Sequence, residues 1–224
     1  MLINKKVAMK SIPLAVLILL VGGGAISTAE EVIILGKHKT EALAEWDKPV
    51  LYGNGNWKVV DDSGDQVIKL RTESSSFALE KAITVDLKRT PYLEWEWKVT
   101  VLPTGGNFTS SEADDQAAQL LVVFPKTFFE RRKVITYIWD PTAPKGATAP
   151  GAGPIYLHVK AIVVESGYGK IDKWLIEKRN VVEDFRAVFG VTPERVVAIR
   201  MQINSQHTKS DAEVFWKTIR FTSD

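Results

Sequence analysis

Two adjacent carboxylates, Asp114 and Asp115, follow a glycine- and serine-rich stretch and open an apolar run. Acids placed together at the mouth of a strand can bind a cation or polarise a sugar hydroxyl. Solvated turn acids give the same pattern, and two carboxylates fall short of the roughly six oxygens a calcium ion needs. Trp139-Asp140 closes the next apolar run. An indole face at a strand end can stack on a sugar ring or pack into a core. Arg179, next to Asn180 and five residues before Asp184, can hold a ligand carboxylate or a pair of hydroxyls. It can equally tie Asp184 across a helix start. Glu94 and Glu96 share one face of a strand, about 7 Å apart at their backbones. That spacing suits the acid and nucleophile of a retaining glycosidase, and also two solvated strand acids.

Other chemistries lack their residues. There is no cysteine, so thiol catalysis, thiolate metal sites, disulfides and a lipidated cysteine are excluded. His38, His158 and His207 are far apart and match no ligand spacing. The chain has no Gly-x-Ser-x-Gly elbow, phosphate-cradling loop or dinucleotide fingerprint, so no metal or cofactor is expected. Asn107-Phe108-Thr109 is a glycosylation sequon, relevant only if a eukaryote exports the protein.

The elements that must position these groups are mostly strands. Leu93, Trp95, Trp97, Val99 and Val101 alternate with polar residues, which predicts a strand with one buried face. The same period of two runs through Ile83 to Leu87 and through Val197 to Ile203, where Ala198, Arg200 and Gln202 face out. Ile155 to Val164 alternates too, with Tyr156, His158 and Lys160 outward. Shorter apolar runs at Val67 to Leu70, Leu120 to Phe124, Val134 to Trp139 and Trp174 to Ile176 complete the series. A last strand, Val214 to Phe221, is expected to be covered on both faces. This set predicts an all-β antiparallel β-sandwich of jelly-roll kind with one short helix. That helix has Asn180 as its cap, Glu183 as a capping-box acid, Phe185, Val188 and Phe189 on one face, and Gly190 as its stop before Pro193. A further helical turn is expected within Glu41 to Trp46.

Two long irregular stretches, Pro103 to Gln116 and Asp140 to Pro154, interrupt the strands, and the second holds four of the ten prolines. If Leu120 to Phe124 and Val134 to Trp139 form a hairpin through Pro125 to Lys133, both stretches share one rim of the sheet. The strand from Ile155 would leave from that rim, and Trp174 to Arg179 would return toward it. Asp114, Asp115, Trp139, Asp140, Arg179 and Asn180 would then converge into a ligand site.

The first 29 residues read as an export segment. Lys5, Lys6 and Lys10 precede an apolar stretch, Ile12 to Val21, and Ser27-Thr28-Ala29 offers a small-residue cleavage site. The apolar stretch is too short to span a bilayer, and no later segment approaches that length. Cleavage near Ala29 leaves one domain, residues 30–224, with 26 basic and 27 acidic side chains. A charge near zero with both signs scattered offers no basic stripe, so a nucleic-acid partner is not expected. Neither is stable membrane insertion once the segment is removed.

Leu93-x-Trp95-x-Trp97, Asp114-Asp115, Leu121 to Phe124, Thr136-Tyr137-Ile138-Trp139, Glu177-x-Arg179-Asn180, Glu183-Asp184-Phe185 and Phe189-Gly190 occur in that order. Through these residues the chain resembles the DUF3047 family, an exported bacterial domain of unknown function, from about Trp57 to Phe221. The resemblance implies a Gram-negative periplasmic or secreted protein with a sandwich like those of galactose-binding modules, and a glycan as ligand. The chain departs from the family pattern at Asn204 to Thr208, where Asp is usual, at Gln119, where arginine is usual, and at Trp216-Lys217-Thr218. The expected function is a non-catalytic module for a glycan or small polar ligand. A polysaccharide hydrolase or lyase, and a structural or assembly factor of the cell envelope, are the alternatives.

Overall fold

Trp95 and Trp97 point the same way from one strand, and that strand defines the inside of the molecule: both are fully buried. The computed structural model describes residues 29–224 except 127–129 and 152, so the export segment expected over residues 1–29 lies outside the described residues apart from Ala29. Among the described residues, thirteen strands follow in chain order. They are β1 (Glu31–Leu35), β2 (Val50–Tyr52), β3 (Asn56–Asp62), β4 (Asp65–Glu73), β5 (Ser76–Asp86) and β6 (Tyr92–Val101). Next come β7 (Ala118–Val123), β8 (Arg132–Asp140), β9 (Thr148–Pro150), β10 (Leu157–Ser166), β11 (Leu175–Asn180), β12 (Arg195–Asn204) and β13 (Asp211–Thr222). A single turn, α1 (Lys39–Ala42), runs into a 3-10 turn at Leu43–Glu45, and α2 (Val181–Phe189) follows β11.

The strands form two sheets. The first runs β11-β6-β13-β4-β3, with β1 also paired to β13; the second runs β2-β5-β12-β7-β8-β10-β9. Between them lies one continuous apolar core in which Trp97 meets Trp139 and Trp216, and Trp95 stacks on Tyr137 at 5.2 Å. The protein is therefore a β-sandwich of the jelly-roll class, as the alternation requires: each strand has one apolar face and must bury it against the other sheet.

Helix α2 matches its sequence. Asn180 Oδ1 accepts from the backbone N–H groups of Val182 and Glu183, and Gly190 ends the helix at φ 75°. Phe185 packs on Phe124 at 4.3 Å and on Phe189 at 4.7 Å, so the helix closes one end of the core.

The expected hairpin of β7 and β8 forms, with Ala118 opposite Trp139 and Val123 opposite Val134. The next connection differs from expectation. β10 lies parallel to β8, with Leu157 opposite Arg132 and Ser166 opposite Asp140. It therefore starts at the end remote from the rim, and residues 141–156 carry the chain the length of the sheet. On the way β9 pairs antiparallel with β10. Gly151 and Gly153 then bring the backbone onto Val159, where a Cβ would meet Val159 methyls at 2.6 and 2.9 Å. This crossing also corrects the facing of β10. Ile162 and Val164, on the same face as His158 and Lys160, join the core between the sheets, Val159 and Ala161 lie on the outer face, and His158 turns toward α2, its ring 5.1 Å from Phe189.

The last strand is a second partial departure. β13 is central in its sheet, yet Phe215 on its outer face is only half-buried, beneath the ammonium groups of Lys69 and Lys98 at 5.2 and 4.8 Å.

Candidate functional site

The outer face of a sandwich sheet normally meets water. On the seven-stranded sheet it instead forms a hollow of about 500 Å³. Cross-strand register builds its floor in rows. Nearest the rim, Gln202 lies opposite Gln119, and Gln119 opposite Ile138. The next row runs Glu80, Arg200, Leu121, Thr136 and Ala161. The row beyond is apolar: Ala198, Val123, Val134 and Val159. The β5, β12 and β7 side is thus polar, while the β8 and β10 side is apolar.

The polar side is held by a chain of amide hydrogen bonds and a separate ion pair. Gln202 Nε2 donates to Gln119 Oε1 at 3.4 Å, and Gln119 Nε2 donates to Asn204 Oδ1 at 2.5 Å. Asn204 Nδ2 donates to the Asp114 carbonyl at 2.6 Å, and its Oδ1 also accepts the Gln116 N–H at 2.9 Å. Arg200 Nε donates to Glu80 Oε2 at 2.6 Å. Two tyrosines stand at the hollow's borders, Tyr52 on the edge strand β2 with 61% of its surface exposed and Tyr156 before β10 with 64%. Tyr52 lies opposite Ser76, at the rim end, and Tyr156 lies beside Arg132 at the other end. The rings therefore occupy diagonally opposite corners.

The six residues expected to converge separate into three places. Asp114 lines the hollow; burial raises its pKa above the usual carboxylate range, against the Gln116 amide, which donates to it at 3.0 Å. Asp115, next in sequence, is fully buried. Its Oδ2 accepts from the N–H and Oγ1 of Thr208 at 2.6 and 2.8 Å, and its Oδ1 lies 3.3 Å from His207 Nδ1. Asp140 is also fully buried, accepting three backbone N–H groups. Trp139 points into the core, not into a ligand site: it is fully buried, with Nε1 donating to the Gly167 carbonyl at 3.0 Å. No sugar can stack on it.

Arg179 and Asn180 are not part of this site. They pair with Leu93 and Tyr92 at the start of β6, whereas the loop of Asp114 and Asp115 follows the end of β6. The parallel β10 is the reason, because it returns the chain to the rim and β11 must then run away from it. Arg179 grips Asp184 with Nε at 2.9 Å and Nη2 at 2.5 Å, and this hydrogen-bonded carboxylate raises the guanidinium pKa. Tyr137 Oη donates to the same carboxylate at 2.8 Å. Glu94 and Glu96 lie on the outer face of the other sheet. Arg220 Nε donates to Glu94 at 2.7 Å, and Lys217 stands 3.9 Å from Glu96. Among the described residues, no group of three or more His, Cys, Asp or Glu side chains is placed to hold a metal ion.

The family model for "Protein of unknown function (DUF3047)" matches residues 44–220. This chain belongs to the DUF3047 family. No curated protein sequence matches it. Among solved structures, the DUF3047 chain is similar to the family 11 carbohydrate-binding module of the cellulosomal cellulase Lic26A-Cel5E of Clostridium thermocellum. That similarity has 9% identity and a TM-score of 0.47, over 87% of this chain and 95% of that one. The family 30 carbohydrate-binding module of the Clostridium thermocellum cellulase Cel9D-Cel44B gives 13% identity and a TM-score of 0.48, over 87% and 98% of the two chains. The endoglucanase Cel12A of Rhodothermus marinus gives 9% identity and a TM-score of 0.46, over 85% and 96%. Similarity at this level assigns neither ligand nor reaction to the DUF3047 chain.

Proposed function

We propose that this DUF3047 protein is an exported, non-catalytic glycan-binding module whose ligand lies in the hollow on the outer face of the seven-stranded sheet. One observation carries the reading: a preorganised amide row, Gln202-Gln119-Asn204, between exposed tyrosines at opposite corners. Each amide offers both a donor and an acceptor, which is what a dense array of sugar hydroxyls requires. Tyrosine adds a flat apolar face for a pyranose ring and a polar tip for its hydroxyls. The carboxylates in the hollow are already engaged, Glu80 by Arg200 and Asp114 by Gln116. A glycosidase needs one acid free to donate a proton and a second free to attack or to activate water. Lys5, Lys6, Lys10 and the apolar stretch after them support export to the periplasm or medium.

Calorimetric titration against a panel of neutral and acidic polysaccharides tests this. Tyr52→Ala and Tyr156→Ala should each weaken binding about fivefold, near 1 kcal/mol, with the fold intact. Affinity unchanged in both variants would remove the hollow as the site.

A catalytic reading of the same hollow has one observation in its favour. His207 is backed by the buried Asp115 at 3.3 Å and stands beside Asp114, whose pKa burial raises. Release of reducing or unsaturated sugar ends, abolished by His207→Ala, would establish it in place of simple binding.

A further inference from the structure

A second hollow lies elsewhere on the molecule and shares no lining residue with the first. It occupies about 430 Å³ at the open side of the sandwich, between edge strand β11, strand β10 and helix α2. Its floor is apolar, made by Ile162 and Val164 of β10 with Val188 of α2. Its walls carry charge.

Glu177 projects inward from β11, opposite Trp95. It is half-buried, and among the described residues it has neither a hydrogen-bond nor an ion-pair partner. Burial raises its pKa, as befits a carboxylate lacking such a partner, while Lys145 pulls it down from a distance. Lys145 lines the same hollow, and its nearest acid is Glu165 at 3.5 Å, which Lys170 already holds at 2.8 Å. Arg179 spends Nε and Nη2 on Asp184. A lone acid and an incompletely neutralised cation thus face one cavity without closing on each other, above an apolar floor.

We propose that this crevice is a second ligand site, for a small zwitterion with an apolar side chain, such as an apolar amino acid or a dipeptide. Its ammonium group would take the Glu177 carboxylate, its carboxylate would take Lys145, and its side chain would cover Ile162, Val164 and Val188. A partly desolvated carboxylate without a partner is costly, and a ligand ammonium would offset that cost at Glu177, while the exposed Lys145 at the mouth supplies the opposite charge. This inference is independent of glycan binding, because the two hollows have no residue in common.

Titration calorimetry of the purified protein with leucine and with leucyl-leucine is the test. Two truncated probes accompany them: 4-methylpentanoate, which lacks the ammonium group, and 3-methylbutylamine, which lacks the carboxylate. Leucine or leucyl-leucine should bind, each truncated probe should bind about tenfold more weakly or worse, and Glu177→Gln should lose about tenfold. Val188→Trp should block the cavity, whereas Gln119→Leu in the other hollow should weaken glycan binding and leave leucine affinity unchanged. Absence of binding by both zwitterions overturns the proposal. So does binding that survives Glu177→Gln in a folded variant. Self-association of Glu177→Gln with unchanged leucine affinity would also overturn it, assigning Glu177 the role of guarding a sheet edge.

Discussion

The Asp140 carboxylate at the end of β8 accepts the backbone N–H of Phe108, 32 residues away, at 2.8 Å. Its other oxygen accepts the N–H groups of Thr142 and Ala143 at 2.9 and 2.7 Å. A single buried side chain therefore ties both long loops to one rim, and with them the position of Asp114 at the mouth of the hollow on the seven-stranded sheet.

Replacing Asp140 with alanine leaves three backbone donors without their acceptor. Hydrogen bonds to a charged group contribute about 1.5–3 kcal/mol each, and water can recover part of the loss. We expect Asp140→Ala to lower stability by about 3 kcal/mol in urea unfolding. Glycan affinity should fall as well, because the loop carrying Asp114 loses its anchor.

Trp139→Ala should act differently from a ligand-contact mutation. The indole is fully buried against Trp97, its centroid 6.2 Å away. Truncation should cost about 3–5 kcal/mol and shift the unfolding midpoint strongly. Any variant protein that remains folded should bind glycan like the wild type.

Much of this fold is legible in the sequence because burial imposes a period of two on each strand, and the alternation at Leu93 to Val101 has no helical equivalent. Asn180, Glu183 and Gly190 mark α2 as clearly, since a cap and a left-handed stop are local chemistry. The direction of β10 is not legible. Alternation says which residues share a face and nothing about which end a strand enters from, and a connection of this length can deliver the chain to either end. That one choice displaced Arg179 and Asn180 from the rim. Trp139 misled for a related reason: β8 is buried on both faces, Val134 to Asp140 without interruption, so a residue beside a long loop was still interior. The amides that line the hollow belong to no motif, and their trace in the sequence was the outward polar set Arg200 and Gln202. Glu177 enters only as part of the Glu177-x-Arg179-Asn180 motif, with nothing in the sequence to mark it as inward, because an edge strand carries inward charges without breaking its alternation.

The crossing segment offers a steric test. A Cβ at residue 151 would stand 2.6 Å from Val159 Cγ1. Gly151→Ala should destabilise by about 1–3 kcal/mol through overpacking, and Val159→Ala should destabilise by its lost burial. The two should not add: in the double variant the smaller side chain makes room for the new methyl. A coupling near 1 kcal/mol in a double-mutant cycle is expected, and strict additivity would show that the segment does not rest on Val159.

Lys39 is 2% exposed, and burial lowers its pKa from 10.5 to about 8, against the pull of Asp65 and Glu96. Between those two values the unfolded chain binds the proton more tightly than the folded one, so stability should rise as pH increases from about 8 toward 10.5. Lys39→Met should remove this rise and add stability below pH 8, by at most on the order of 3 kcal/mol. Urea unfolding at a series of pH values reads both effects.

Tyr137 sets the opposite limit at higher pH. Its hydroxyl is buried, and burial, followed by the charge of Asp184, raises its pKa well above 10. The unfolded tyrosine titrates near 10, so above that point the unfolded chain releases a proton that the folded chain keeps. The stability contributed by the protonated phenol is complete below pH 10 and is lost as pH climbs toward the folded pKa. Tyr137→Phe cannot ionise and should unfold with a flatter alkaline limb. At neutral pH it should be less stable by about 1–2 kcal/mol, because Asp184 loses a donor at 2.8 Å and keeps only Arg179. An alkaline limb unchanged in Tyr137→Phe would mean that another group governs unfolding there, and that the Asp184 carboxylate leaves the phenol free to titrate in the folded protein.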